Sequence, residues 1–234
     1  MHIELNDRSA FKDGMKDVLD FDKDRAAVLT IDLQREYLDE SVGQAVVEPD
    51  EVERVMKAHH RLLDACRAVG MPVIHAYAVR RPIETESGFH AGGLAYMAAA
   101  QANGLSQSPH RPARTRPDRP FGSPESQVPE ELVEPSDIHI TAKKSLDSFA
   151  HTDLGFLLDR VLKPRFLLMT GINTDTCVFS TTFTAANRGY APIVISDCVA
   201  SMRGRDSHEM ALEMMSRSIA WVLTLDEFLD RLDG

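Results

Sequence analysis

The chain has 234 residues, of which 43% are hydrophobic and 26% charged, the balance expected of one well-cored soluble domain. Its formal net charge is -10 and no basic stripe rises above that background, so a nucleic-acid partner is excluded for want of clustered Lys and Arg. The polar, mixed-charge opening MHIELNDRSAFKDGMKD lacks the apolar core of a secretory signal, and no apolar run approaches the ~20 residues that cross a bilayer. Three widely spaced cysteines, Cys66, Cys177 and Cys198, argue against a disulfide framework and for a reducing compartment. These features predict a soluble cytoplasmic protein of one domain, with no membrane contact.

The first strand is predicted at 26–31 (AAVLTI), ending at Asp32. A helix follows over about 51–69, where Val52, Val55, Met56, His59, Leu62, Leu63, Cys66 and Val69 recur at helical spacing. Gly70 closes it and Pro72 prevents its continuation. A second strand is expected at 73–77 (VIHAY). From about 80 to 136 the pattern degrades, with Gly92-Gly93 and most of the prolines. This segment reads as an insertion, a lid with one short helix near 91–102. Its basic stretch RPARTRPDR at 111–119, interrupted by prolines, reads as irregular loop. Regular alternation then resumes: strand 138–142, helix 152–162, strand 166–170, helix 175–188, strand 192–196, helix 206–219, strand 221–225 and a last helix at 226–232. Strands alternating with helices predict an α/β fold, a three-layer α/β/α sandwich with a central, mostly parallel, Rossmann-like sheet. In such a sheet every strand delivers its carboxyl end to one edge, where ligands bind.

Three reactive side chains stand at predicted strand ends. Asp32 follows the first strand, Lys143 the third, and Cys177 lies just after the fourth at the start of a helix. A thiol attacks as thiolate, and its ordinary pKa near 8.5 leaves only a few per cent ionised at pH 7. A helix N-terminus and a nearby ammonium both favour the anion. Asp32 is placed to accept the thiol proton and return it to a leaving nitrogen, with Lys143 holding Asp32 ionised. The turn GINTDTC at 171–177 offers backbone N–H groups to an oxyanion.

The stretches TIDLQREYLD at 30–39, KKSLDSF at 143–149 and TGINTDTCVFSTTFTAANRGY at 170–190 resemble the three signature blocks of the isochorismatase-like cysteine hydrolases. The likeness continues through VISDCVAS at 194–201 and His208, and covers most of the chain outside the insertion. It implies the isochorismatase-like hydrolase fold, with Asp32 as acid/base, Cys177 as nucleophile and Lys143, six residues before Phe149, as the third member. It further implies a cis peptide between Ile172 and Asn173, an oxyanion hole from the N–H groups of Asn173 and Cys177, and a homodimer or homotetramer. Tyr37, five residues after Asp32, and Phe149 are expected to wall the pocket. Arg80, Arg81, His90 and Tyr96 in the insertion are candidates for gripping substrate, an arginine suiting a carboxylate.

The chain also departs from relatives of that kind. HAYAVRR at 75–81 has no Asp-x-His pair, which disfavours a nicotinamidase and leads to no expected metal or other cofactor. Cys177 favours attack on a carbonyl carbon over vinyl-ether cleavage, and Leu146 weakens a biuret-type reading. His208 reads as a loop-ordering residue. The expectation is hydrolysis of a C–N bond in a small amide, ureido or N-carbamoyl compound, through a thioester-type acyl-enzyme. The alternatives are vinyl-ether hydrolysis and a catalytically silent binding member.

Overall fold

The computed structural model of the protein describes residues 5–86 and 94–233. In chain order the elements are α1 (Ser9–Asp17), β1 (Ala26–Ile31), α2 (Arg35–Leu38), α3 (Pro49–Ala68), β2 (Val73–Ala78), α4 (Pro82–Glu86), α5 (Ala95–Ala102), β3 (Ile138–Lys143) and α6 (Leu154–Phe156). They continue with β4 (Phe166–Ile172), α7 (Phe179–Asn187), β5 (Ala191–Ala200), α8 (Arg205–Ser218), β6 (Trp221–Leu223) and α9 (Leu225–Asp233). Two π-helical stretches complete them: Leu157–Leu162 extends α6, and Thr174–Val178 leads into α7.

The strands form one six-stranded sheet in the order β3-β2-β1-β4-β5-β6, with every pairing parallel. β1, β2 and β4 are buried along their whole length, as strands covered on both faces must be. Alternation along β1 sends Val28 to the face packed by Val55, Leu62 and Leu63 of α3 and Phe228 of α9. Ala27, Leu29 and Ile31 turn to the opposite face, against Leu154, Leu158, Ala185 of α7 and Met215 of α8. The three expected layers are thus present, and the strand order reverses between β1 and β4. That switch point is where open parallel sheets bind ligands.

α3 begins where Pro49 is preset for the first turn, with Asp50 and Glu51 complementing the helix dipole, and stops where Gly70 takes φ 74°. The sequence reading ended the fifth strand at 196, whereas β5 runs on to Ala200. Polar Ser196 and Asp197 mark a register shift, after which Val199 and Ala200 pair with Gly171 and Ile172. Arg54 of α3 donates to the carbonyls of Ser196, Asp197 and Val199, at 3.1, 2.9 and 2.9 Å, so the irregular stretch keeps its backbone satisfied. Cys198 therefore lies inside a strand and is buried. No helix among the described residues is long and apolar enough to cross a membrane.

Candidate active site

Asp32 leaves β1 with φ 48°, an unusual conformation for a non-glycine residue, fixed by Asp32 N–H to the Ala76 carbonyl at 2.8 Å and Gln34 N–H to the Asp32 carbonyl at 2.8 Å. This bend turns its carboxylate across the sheet edge. Oδ1 accepts from the Ala78 N–H at 3.1 Å, and Oδ2 accepts from Lys143 Nζ, at the end of β3, at 2.6 Å. The same ammonium lies 3.4 Å from Cys177 Sγ. All three side chains are buried, so carboxylate, ammonium and thiol meet out of bulk water.

Glycine makes this meeting possible. Gly171, at φ 108°, sits against the end of β1, and a Cβ there would stand 2.0 Å from the Ile31 carbonyl oxygen. Only a residue without a side chain lets β4 approach so closely beside Asp32. The Ile172–Asn173 peptide is cis, as the resemblance implied. Beyond it the N–H groups of Thr176 and Val178 both return to the Asn173 carbonyl, at 3.2 and 3.0 Å, closing the turn that carries Cys177. The Asn173 side chain is held by the Met202 N–H at 2.8 Å, and Thr174 Oγ1 meets His208 Nδ1 at 2.8 Å, which gives His208 the loop-ordering role expected of it.

The charges set the protonation states. Burial opposes ionisation of Asp32, but the charges of Lys143 and Arg119 outweigh it and hold the carboxyl below the ordinary range. Burial likewise opposes the Lys143 ammonium, and the Asp32 carboxylate overcomes it, keeping the lysine charged. For Cys177 burial is the stronger influence: it pushes the thiol up to about 11, against the pull of Lys143. Desolvation thus outweighs the ammonium in the free protein, the Asp32 carboxylate adding to the upward push.

The pocket above these residues has a volume of about 320 Å³. Tyr37 and Arg80 line it. Arg81 does not: it is turned to solvent and donates to Glu84 Oε1, at 3.1 Å from Nε and 2.7 Å from Nη2. Phe149 faces the core beneath, where it stacks on Tyr190 with ring centroids 6.1 Å apart and lies under Arg188. Tyr96 is 86% exposed and points away. His90 lies outside the described residues.

Sequence reasoning missed Arg119. The insertion folds back so that the Arg80 N–H reaches the Arg119 carbonyl at 2.9 Å and the Phe121 N–H reaches the Arg80 carbonyl at 2.7 Å. Arg119 is thereby buried in the site, over the Tyr37 ring, with Nη1 2.9 Å from Gln34 Oε1. Its Nε and Nη2 fork onto the two oxygens of Asp118 at 2.8 and 3.0 Å. Arg114 joins Asp118 to the buried Glu36, 3.1 Å from it. A basic run inside a chain of net charge -10 was the available signal. Among the described residues no group of three or more His, Cys, Asp or Glu is arranged to hold a metal.

The parallel α/β/α sheet thus carries a buried carboxylate, ammonium and thiol together at its switch point. The model of the isochorismatase domain matches residues 26–227, and the chain belongs to that family. It is 28% identical over 111 residues to the uncharacterized isochorismatase family protein YrdC of Bacillus subtilis, a match covering 43% of this chain and 59% of that protein. The fold is similar to that of a cysteine hydrolase from Pseudomonas syringae pv. phaseolicola (TM-score 0.73, 20% identity, covering 91% of this chain and 94% of the other). It is similar also to the nicotinamidase PncA from Bacillus subtilis (TM-score 0.64, 22% identity, covering 85% and 99%).

Proposed function

We propose that this chain hydrolyses a C–N bond in a small amide, ureido or N-carbamoyl compound, with Cys177 as nucleophile. One observation carries the reading: a single ammonium, Lys143 Nζ, touches both the Asp32 carboxylate at 2.6 Å and the Cys177 sulfur at 3.4 Å.

A thiol held near 11 is only about one part in ten thousand ionised at pH 7, so attack requires concerted removal of its proton. Asp32 accepts that proton as sulfur bonds to the carbonyl carbon. The carbonyl oxygen becomes an oxyanion, received by the backbone N–H groups of Asn173 and Cys177, donors worth roughly 3–4 kcal/mol each in such steps. Asp32 then protonates the leaving nitrogen, the C–N bond breaks, and a thioester remains. Water attacks the thioester with Asp32 again as base, and the thiolate leaves and recovers its proton. Lys143 stays charged throughout, stabilising whichever neighbour is anionic.

Ammonia release from a panel of small amides, ureido acids and N-carbamoyl amino acids, wild type beside Cys177→Ala, tests the reading. Turnover that vanishes in the variant supports covalent cysteine catalysis, and turnover that survives overturns it. The same reading places the protein in the cytoplasm as a homodimer or homotetramer. The exposed Phe156, Phe183, Met210 and Met214 on α6, α7 and α8 support self-association, which light scattering checks.

A further inference from the structure

The charged groups of the pocket wall are paired with one another. Lys143 has Asp32 at 2.6 Å, Lys144 has Glu84 at 2.8 Å, Arg114 has Glu36 at 3.1 Å and Arg203 has Asp175 at 3.3 Å. Asp118 takes both Arg119, at 2.8 Å, and Arg80, at 3.4 Å. Arg116 stands exposed to water at the mouth and donates to the Val42 carbonyl. Beside these pairs runs an apolar wall. Met202 is buried, and its N–H holds the Asn173 side chain at 2.8 Å, so it stands next to the turn that carries Cys177. Arg203, the following residue, donates from Nη2 to Gln107 Oε1 at 2.8 Å, which brings the insertion against the same wall. Leu105, two residues before Gln107, lines the pocket and is still 63% exposed. Its N–H reaches the Ala100 carbonyl at the end of α5 at 2.9 Å, and Met97 of that helix lines the pocket beside it.

We propose that the substrate is a primary carboxamide with an uncharged, apolar acyl chain that runs from Cys177 past Met202 to Met97 and Leu105. The inference rests on the reading that Cys177 takes the carbonyl carbon. The two sides of that carbon then meet different surroundings. The leaving nitrogen faces Asp32, with Lys143 and Arg119 beside it. The acyl chain, held on sulfur, lies on the side of the Asn173 turn and Met202. As the sulfur–carbon bond forms and the carbon–nitrogen bond breaks, ammonia leaves with the thiol's proton. Water then cleaves the thioester, giving the free carboxylic acid and restoring the thiol. A carboxylate on the chain would lose its hydration to face cations that already hold anions, whereas methylenes take the apolar surface of Leu105 out of water. The cavity of about 320 Å³ compares with roughly 30 Å³ for one water, so a chain of several carbons fits beyond the amide. Met97 and Met202, with flexible thioether side chains, adapt to chains of different length.

Ammonia release from acetamide, butanamide and hexanamide tests the proposal. kcat/KM should rise about threefold with each added methylene, the gain expected when a CH₂ group passes from water to an apolar wall. 4-Methylpentanamide and succinamate match in shape and differ in charge, and the neutral compound should be preferred by about tenfold or more. Replacing Met97→Gln and Leu105→Gln together should flatten the series. The slope is read within one protein, so general damage to the fold does not imitate this result. Calorimetry of the same amides with Cys177→Ala gives the slope as affinities, without turnover. A flat or falling series, a preference for succinamate, or a slope kept in the double variant overturns the proposal. Affinity that climbs with chain length in Cys177→Ala, while the wild type releases no ammonia from any amide, overturns the hydrolase reading and leaves this one standing. Turnover through Cys177 that ignores chain length does the reverse.

Discussion

Arg119 Nη1 stands 3.7 Å from Asp32 Oδ1, while Lys143 Nζ holds Oδ2 of the same carboxylate at 2.6 Å. The proposed base therefore has a cation at each oxygen, one from a strand end and one from the insertion. Both lower its proton affinity, Lys143 more than Arg119. Their joint effect keeps Asp32 ionised into acid conditions, ready to receive a proton from a thiol that resists giving one up.

Removing Arg119 should accordingly change the pH profile. In Arg119→Gln the Asp32 carboxyl loses one of its two cations and its pKa rises, so the acid limb of kcat/KM moves to higher pH. Arg119→Lys, which keeps a charge but not the fork, should restore part of that shift. Stability should also fall, by about 3 kcal/mol, because Asp118 loses its bidentate partner in a buried setting. An acid limb that stays where it was in Arg119→Gln would sink the assignment.

The state of Cys177 in the free protein is open to direct measurement. With the thiol pushed up to about 11 by burial, its alkylation by iodoacetamide should accelerate steadily from pH 7 to pH 10, with no plateau near neutrality. Lys143→Met removes the ammonium that counters burial, so alkylation at pH 8 should slow further. A rate already flat at pH 7 would mean that the helix terminus and Lys143 outweigh desolvation after all.

The sheet and its reactive edge were legible in the sequence because each depends on local pattern. Alternating apolar runs marked the six strands, and Asp32 and Lys143 stood at or next to strand ends. What escaped was set by distant charge. Nothing local in RPARTRPDR says that Arg119 will be buried beside Asp32; that follows from a backbone return onto Arg80 across 39 positions. Arg81 was an equally good candidate on paper, and its neighbour Glu84 claims it. Phe149 shows the opposite error: an apolar residue close to the site in sequence, drawn under the sheet by Tyr190 and Arg188.

Gly171 offers a test of how closely the two central strands must approach. A methyl group there meets the Ile31 carbonyl oxygen at 2.0 Å, its nitrogen at 2.7 Å, and a backbone at φ 108° that side chains avoid. Gly171→Ala must push the end of β4 away from β1, separating the Asn173 turn from Asp32. Displacements of about 1 Å in such sites cost roughly a hundredfold in rate. We expect ammonia release to fall by at least that factor, with a stability loss of about 3 kcal/mol by urea unfolding. Near-normal activity would show that the strand ends yield without disturbing the site.

Stability should decline on mild acidification, owing to two buried histidines. His59 and His75 are both held down to about 4, burial being the main cause. The unfolded chain binds their protons near 6.5, so between those values it takes up more protons than the folded one. Stability is full above 6.5 and is lost as pH falls toward 4, by up to about 3 kcal/mol per histidine. Glu36, raised by burial, contributes with the opposite sign, stabilising below the ordinary glutamate range and losing that contribution as pH rises. His59 isolates the effect. Its Nδ1 is 2.8 Å from the Val55 carbonyl and its Nε2 finds no hydrogen-bond partner among the described residues, so His59→Leu removes an uncompensated polar atom. Urea midpoints measured at pH 7 and pH 5 should converge in this variant relative to wild type, and an unchanged gap would assign the acid sensitivity elsewhere.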